Sequence, residues 1–141
     1  MAITIQIVEK NNTIQKFLNL DYADLDEQVI THQNDDEVVA LNYATRQQPK
    51  VILLNYDLRD SETSVFISFL LEKSPGSKII VIADSLSQEQ VLDCLLAGAN
   101  GFLEQKSIEK FINKAIKSVL CNEVWITRKM TAILLEHLRS F

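Results

Sequence analysis

The stretch Val51-Ile52-Leu53-Leu54-Asn55 decides the fold, because four apolar residues in succession end on an asparagine. A second near-continuous apolar run covers residues 78–82. Runs of this kind are typical of parallel strands that are covered on both faces. The two runs therefore predict buried strands of a parallel sheet, with Asn55 at the carboxyl end of one of them.

Strands and helices alternate on both sides of these runs. Three more strands are predicted from β-branched and apolar residues, at 3–8, 28–33 and 101–105. Apolar residues at helical spacing, with start and stop signals, predict helices at 13–20, 35–48, 61–73, 87–96 and 108–120. Five strands that alternate with five helices predict a doubly wound, flavodoxin-like α/β fold with strand order 2-1-3-4-5. An additional C-terminal helix is predicted over 127–141.

The strand order also predicts where a ligand or ion would bind. The chain changes direction between the first and third strands, and ligands of such folds bind there, beyond the carboxyl ends of the strands. The residues at these ends are Glu9, Lys10, 55–57, 83–84 and 105–106. Any small-molecule or ion site of this fold should use them.

Two stretches of sequence and a set of spacings resemble one protein family. Residues 95–103 read Leu-Leu-Ala-Gly-Ala-Asn-Gly-Phe-Leu, similar to the L-x-A-G-A-x-G-[YF]-L stretch of CheY-like response-regulator receiver domains. Residues 122–126, Asn-Glu-Val-Trp-Ile, resemble the segment that ends receivers of the LuxR/NarL-type subfamily before their helix-turn-helix domain. The resemblance covers residues 2–130 and implies a receiver fold.

The spacings of the family's active site also match, but the residues do not. The resemblance implies a carboxylate nucleophile, an acidic pair for Mg²⁺, a hydroxyl and a lysine. The matching positions hold Asn55, the pair Glu9 and Lys10, Ala83, and Gln105. An amide is no nucleophile, an ammonium repels Mg²⁺, and alanine has no hydroxyl. Four losses together predict a pseudo-receiver that is not an enzyme, needs no cofactor and binds Mg²⁺ weakly or not at all.

Three alternatives concern neighbouring residues. Asp57, two residues beyond Asn55, could accept phosphate in its place, and Lys106 could replace the missing lysine from the next position. Lys10 could pair with Glu9 or Asp57 and donate to the carbonyl oxygen of Asn55, which would lock the site without metal or phosphate. It could equally point into water, as most lysines do.

Phe102 matches the aromatic residue that moves inward in working receivers when the hydroxyl moves toward the phosphate. Because Ala83 has no hydroxyl and leaves room beside the ring, we expect Phe102 to lie permanently inward. An ordinary core phenylalanine predicts nearly the same position. The position of Phe102 therefore discriminates little between a switch residue and a core residue.

The composition limits the class of function. The 141 residues are 47% hydrophobic and 23% charged, which suits one globular domain. A net charge of −5 disfavours broad contact with nucleic acid, since phosphate neutralisation needs clustered Lys and Arg. Because no membrane-span-length apolar run and no signal peptide is evident, a cytoplasmic protein without membrane contact is predicted. Cys94 and Cys121 are predicted to be free core thiols, and no metal-ligand set is recognised.

The C-terminal extension, residues 123–141, is predicted to follow a receiver-like domain at residues 1–122. It carries apolar residues on one helical side that need a partner, namely Met130, Leu134, Leu138 and Phe141. A homodimer through this helix, the fifth helix or both is predicted, because a two-fold pair is the commonest way to bury such a surface. The competing possibility is that the extension folds back on its own domain.

Two functions from different classes follow from the resemblance. In the first, the chain is the receiver-like part of a transcription regulator, with a DNA-binding helix-turn-helix beyond Phe141 that alone contacts DNA. We expect this arrangement because the chain stops on an apolar helix. In the second, it is a standalone adaptor that binds a kinase or another regulator.

Overall fold

The computed structural model describes residues 2–18, 28–59 and 62–140. One parallel sheet holds five strands: β1 (Ala2–Val8), β2 (Gln28–Asn34), β3 (Val51–Asn55), β4 (Lys78–Ala83) and β5 (Gly101–Glu104). Their order is β2-β1-β3-β4-β5, which confirms the predicted topology.

Six helices accompany the sheet in the described ranges: α1 (Thr13–Phe17), α2 (Glu37–Gln47), α3 (Thr63–Lys73), α4 (Gln88–Ala97), α5 (Ile108–Leu120) and α6 (Arg128–Arg139). The α/β fold with an extra C-terminal helix is thereby confirmed. The predicted end of the first helix and residues 61 and 141 lie outside the described residues. None of the helices in the described ranges is long and apolar enough to cross a bilayer.

Local signals set the helix ends. The Asp36 side chain accepts from the backbone N–H of Val39 at 3.0 Å and so starts α2. Ser87 and Gln90 form a reciprocal capping box at the start of α4. Gly98 ends α4 with φ of 120°, a left-handed conformation that favours glycine.

The core lies on both faces of the sheet, which explains the uninterrupted apolar run in β3. On one face Leu54 packs in a cluster with Phe66 of α3. On the opposite face Leu53 packs in a cluster with Ile112 of α5. All five residues of β3 are buried, as expected for a central parallel strand.

The C-terminal extension folds back on its own domain. The Trp125 N–H donates to the Asn100 carbonyl, and the Phe102 N–H donates to the Trp125 carbonyl, each at 2.9 Å. Trp125 thus pairs in parallel with Gly101 and covers part of the open edge of β5. A Cβ on Gly101 would lie 3.1 Å from the Trp125 Cβ, a tight contact that glycine avoids.

Helix α6 then lies beside α4. Met130 packs against the core cluster below it, so it is not free to form the predicted interface between two copies. Leu134 is half-buried, whereas Leu138 is 54% exposed. Of the four predicted interface residues, Leu138 is therefore well exposed, and Phe141 lies outside the described residues.

Candidate functional site

The sheet register brings the predicted site residues to one edge. Val8 of β1 pairs with Leu54 of β3. Glu9 and Asn55 directly follow this pair, so they lie at neighbouring strand ends. Ala83 pairs with Glu104, and Gln105 comes directly after β5. We call the set Glu9, Lys10, Asn55, Asp57, Ala83 and Gln105 the strand-end crevice.

Asn55 is an integral part of the turn that follows β3. It is 6% exposed, and its Oδ1 accepts a hydrogen bond from the Asp57 N–H at 3.0 Å. This bond caps the short 3₁₀ turn Tyr56–Leu58, a local role that Asn and Asp side chains fill well. The amide oxygen at the position that resembles the family's phosphoacceptor therefore accepts a hydrogen bond from the chain's own backbone.

Glu9 is fully buried and directed at helix α1. Its two carboxylate oxygens accept from the Ile14 N–H at 2.9 and 3.0 Å, and one also accepts from the Gln15 N–H at 2.9 Å. Such charge-assisted bonds satisfy N–H groups at a helix start that would otherwise lack partners. The acid at the position that resembles the family's metal-binding pair thus accepts hydrogen bonds from the backbone. The sequence pattern missed this cap, because Asn12 occupies the usual capping position.

Lys10 is exposed and forms no ion pair with any residue in the described ranges. The proposed lock across the crevice is therefore not formed, and the water-facing alternative is the one observed. The Lys10 side chain borders a shallow depression at the start of α2, with Asp35, Asp36 and Glu37. The ammonium thus lies beside acidic residues at the start of α2.

The two candidate replacements, Asp57 and Lys106, are both exposed. Asp57 lies exposed in the turn after β3, beyond the end of the strand. The Lys106 ammonium is exposed and pairs with the Glu104 carboxylate at 3.2 Å. Within the described parts of the chain, no group of three or more His, Cys, Asp or Glu side chains is placed to hold a metal ion.

The fifth strand is one residue shorter than predicted. Strand β5 ends at Glu104, and Gln105 begins a 3₁₀ turn through Ser107. Gln105 is half-buried there. Its side chain has no positive charge to offer a phosphate, wherever in the turn it points.

Arg59 links the turn that follows Asn55 to neighbouring elements through ion pairs. Its guanidinium forms ion pairs with Glu37 of α2 and with Glu62 just before α3, and lies 5.9 Å from the Phe66 ring centre. These hydrogen bonds, chiefly the one to Glu62 and to a smaller extent the one to Glu37, raise the pKa of Arg59 above its usual value. Sequence reasoning missed this residue, because its two partners lie on different elements.

Phe102 is inward, as expected from either of its two interpretations. It is 7% exposed, and Ala83 beside it is 6% exposed. Both residues line a cavity of about 380 Å³ between the ends of β4 and β5, helices α4 and α5, and the start of α6. We call this space the β5 cavity. Sequence reasoning missed it, because its walls come from segments that are far apart along the chain.

The two cysteines differ. Cys94 is buried in the core, and burial together with the nearby Asp93 raises the pKa of its thiol to about 11. Cys121 is exposed, so the prediction that it is a core thiol was wrong. It lies just past the end of α5, whose last buried residue is Val119.

The fold is similar to that of solved response-regulator structures. The RcsB response regulator of Salmonella typhimurium, described in terms of DNA interaction, matches with a TM-score of 0.77 and 11% identity over 94% of this chain and 68% of that chain. The isolated REC domain of RcsB from Salmonella enterica serovar Typhimurium, in the apo form, matches with a TM-score of 0.77 and 14% identity over 94% and 98%. A LuxR family DNA-binding response regulator from Silicibacter pomeroyi matches with a TM-score of 0.74 and 17% identity over 90% and 98%.

No protein-family model and no curated protein sequence matches this chain. The likeness to the solved structures lies in the arrangement of the backbone, at 11–17% identity for these three. With the strand order and the element bounds, it establishes that this chain has the CheY-like receiver fold seen in LuxR-family response regulators.

Proposed function

We propose that this chain is the receiver domain of a two-component-type response regulator and that it works without phosphorylation. The observation that carries the proposal is the state of Asn55. A buried amide stands at the phosphoacceptor position, and its oxygen already accepts a backbone hydrogen bond from Asp57. An uncharged amide in this bond is no nucleophile for a phosphodonor.

The surroundings of Asn55 support the same proposal. Mg²⁺ needs oxygen ligands and negative charge. Glu9 spends both carboxylate oxygens on the N–H groups of α1, and Lys10 adds an ammonium at the next position. Magnesium binding at the strand-end crevice is therefore weak or absent, and no cofactor is needed.

The output of such a domain is a contact with protein. Two of the similar structures are described in connection with DNA, one as interacting with it and one as DNA-binding. We therefore place this domain in a regulator of transcription, in the cytoplasm, with a helix-turn-helix domain as its DNA-contacting part. Its own net charge of −5 argues against direct DNA contact.

The proposed contact is a homodimer through the outer side of α6. Leu135 and Leu138 on this helix are 45% and 54% exposed. A two-fold pair would remove both from water and bring two effector domains together. Sedimentation at several concentrations checks this, with Leu135→Glu and Leu138→Glu as disrupting variants. A monomer at high concentration that these variants leave unchanged would contradict the dimer.

One observation favours a second candidate function. Helix α6 packs on its own domain through Met130, which suits an adaptor that acts as a single copy. Such an adaptor would bind a kinase or another regulator through the receiver-like surface. A monomer in the sedimentation experiment would support this second function.

The phosphorylation claim is tested by intact mass after incubation with Mg²⁺ and a small phosphodonor such as acetyl phosphate. We expect no phosphoryl adduct. A stoichiometric adduct that is stable to mild acid and labile to hydroxylamine would contradict the proposal. Asp57→Asn is the matched variant that would show whether such an adduct sits on the nearby carboxylate.

A further inference from the structure

The β5 cavity has the size and walls of a small-molecule site. Its volume of about 380 Å³ falls in the range of small-molecule pockets. Apolar and aromatic side chains form most of the wall, chiefly Val91, Phe102, Phe111, Trp125, Ile126 and Met130. Several of these side chains remain half-exposed, so a bound molecule would remove apolar surface from water.

Two features hold the space open. The pairing of Trp125 with Gly101 fixes the C-terminal extension at the edge of β5 and sets one wall. The Phe111 and Trp125 rings lie 6.0 Å apart at an angle of 45°, so each ring supports the other. The methyl group of Ala83, which also lines the cavity, leaves room that a longer side chain would fill.

The polar groups of the wall restrict the chemistry of an occupant. Glu104 is the one charged residue among the described wall residues, and Ser85, Ser107 and Thr127 contribute hydroxyl groups. The ammonium nearest in sequence, that of Lys106, pairs with Glu104 and is not part of the wall. An anion that entered the cavity would therefore lose its hydration without gaining a cationic partner in the wall, which is unfavourable.

We propose that the β5 cavity binds an uncharged small molecule that contains aromatic or other apolar rings. Such a molecule would touch Phe102 on β5, Phe111 on α5 and Met130 on α6 at once. Binding would thereby fix α6 against the domain and make its position depend on the ligand. This regulatory part deepens the proposed function and rests on it, whereas the binding itself is independent of phosphate and Mg²⁺.

The test uses two fluorescent probes with the same rings. N-phenyl-1-naphthylamine is uncharged, and 8-anilino-1-naphthalenesulfonate carries one added sulfonate. Each is titrated into the full chain without phosphodonor or Mg²⁺, and the fluorescence of the probe and of Trp125, the single tryptophan, is recorded. We expect saturable binding of the uncharged probe with quenching of Trp125, and binding of the sulfonate at least about tenfold weaker.

Two variants locate the binding. Ala83→Leu fills the cavity from β4, and Ser85→Phe blocks it from an exposed loop position with little risk to folding. Their matched controls, Ala132→Leu and Ser140→Phe, alter exposed positions of α6 and its end that are not among the wall residues. Far-ultraviolet circular dichroism confirms that each variant is folded. We expect Ser85→Phe, and Ala83→Leu if folded, to weaken binding of the uncharged probe at least about tenfold while the controls bind normally.

Three results would overturn the binding claim: no saturable binding of the uncharged probe, equal binding of the sulfonate, or binding that Ser85→Phe leaves unchanged. Hydrogen exchange with and without the uncharged probe tests the regulatory part. We expect slower exchange of the α6 amides, residues 128–139, when the probe is bound. Probe binding without any change in α6 would overturn the coupling, and neither result depends on the phosphorylation experiment.

Discussion

The strand-end crevice and the β5 cavity lie along the same carboxyl edge of one sheet, yet they use their residues in opposite ways. In the crevice, Glu9 and Asn55 are bound to the chain's own backbone. In the cavity, apolar side chains enclose about 380 Å³ of open space. Side chains at the ends of β1 and β3 thus bind the backbone, while unfilled volume lies farther along the edge, beside β5.

The largest expected effect comes from removing the Glu9 carboxylate. Glu9→Ala leaves the buried N–H of Ile14 and the part-buried N–H of Gln15 without an acceptor, which should lower the free energy of unfolding by about 3 kcal/mol. Denaturant unfolding measures this, with Glu72→Ala at an exposed helix position as the control. An effect as small as that of the control would mean that the crevice carboxylate is not structural.

A smaller effect is expected at the wall of the cavity. Gly101→Val should lower the free energy of unfolding by about 2 kcal/mol, because a Cβ there would meet the Cβ and carbonyl oxygen of Trp125 at 3.1 and 3.2 Å. The Trp125 emission should also shift to longer wavelength as the extension detaches. Gly76→Val is the matched control, since no other atom lies within 4 Å of a Cβ there. Equal stability of the two variants would contradict the proposal that the pairing of Trp125 with Gly101 holds the wall of the cavity in place.

Restoring carboxylates at the crevice should increase its affinity for Mg²⁺. Lys10→Asp with Asn55→Asp restores oxygen ligands and removes the ammonium, so Mg²⁺ should bind about tenfold more tightly than to the unaltered chain. Isothermal titration measures the change, and Lys106→Asp with Asn122→Asp, which makes the same change of net charge at exposed positions, serves as a control for charge alone. If both variants gained the same affinity, the effect would come from net charge and not from the crevice.

The smallest effect concerns the two thiols. Because the pKa of Cys94 is raised to about 11 by burial, its reactive thiolate is scarce in the folded protein until the pH approaches that value. Cys121 is exposed and should react first with a maleimide at neutral pH. Mass spectrometry of digested protein identifies the labelled residue. Faster labelling of Cys94 would show that the core beneath α4 opens readily.

Much of the fold followed from the sequence, for identifiable reasons. The apolar runs at 51–54 and 78–82 have no polar interruption, so they predict buried parallel strands, and the capping residues Asp36 and Ser87 set helix starts. The strand order then followed from the alternation of elements. These signals are local, and the structure places each of them as predicted.

The chemistry of the site was only partly predictable. Sequence spacing placed Asn55 and Ala83 at the sheet edge, but it gave no sign that Glu9 caps α1 from outside the usual capping position. Nor did it predict that Trp125 pairs with Gly101, since that pairing joins segments through a single parallel bridge. The cavity depends on this pairing and on Met130, so it became visible only in three dimensions.

The central claim is that the strand-end crevice is closed to metal and phosphate by the chain's own groups. A titration with Mg²⁺, followed by the amide signals of Glu9, Asn55 and Asp57, tests it most directly. We predict that these signals stay in place through millimolar Mg²⁺ while those of the Lys10→Asp, Asn55→Asp variant move. Saturable shifts of the three amides in the unaltered chain at sub-millimolar Mg²⁺ would contradict the account.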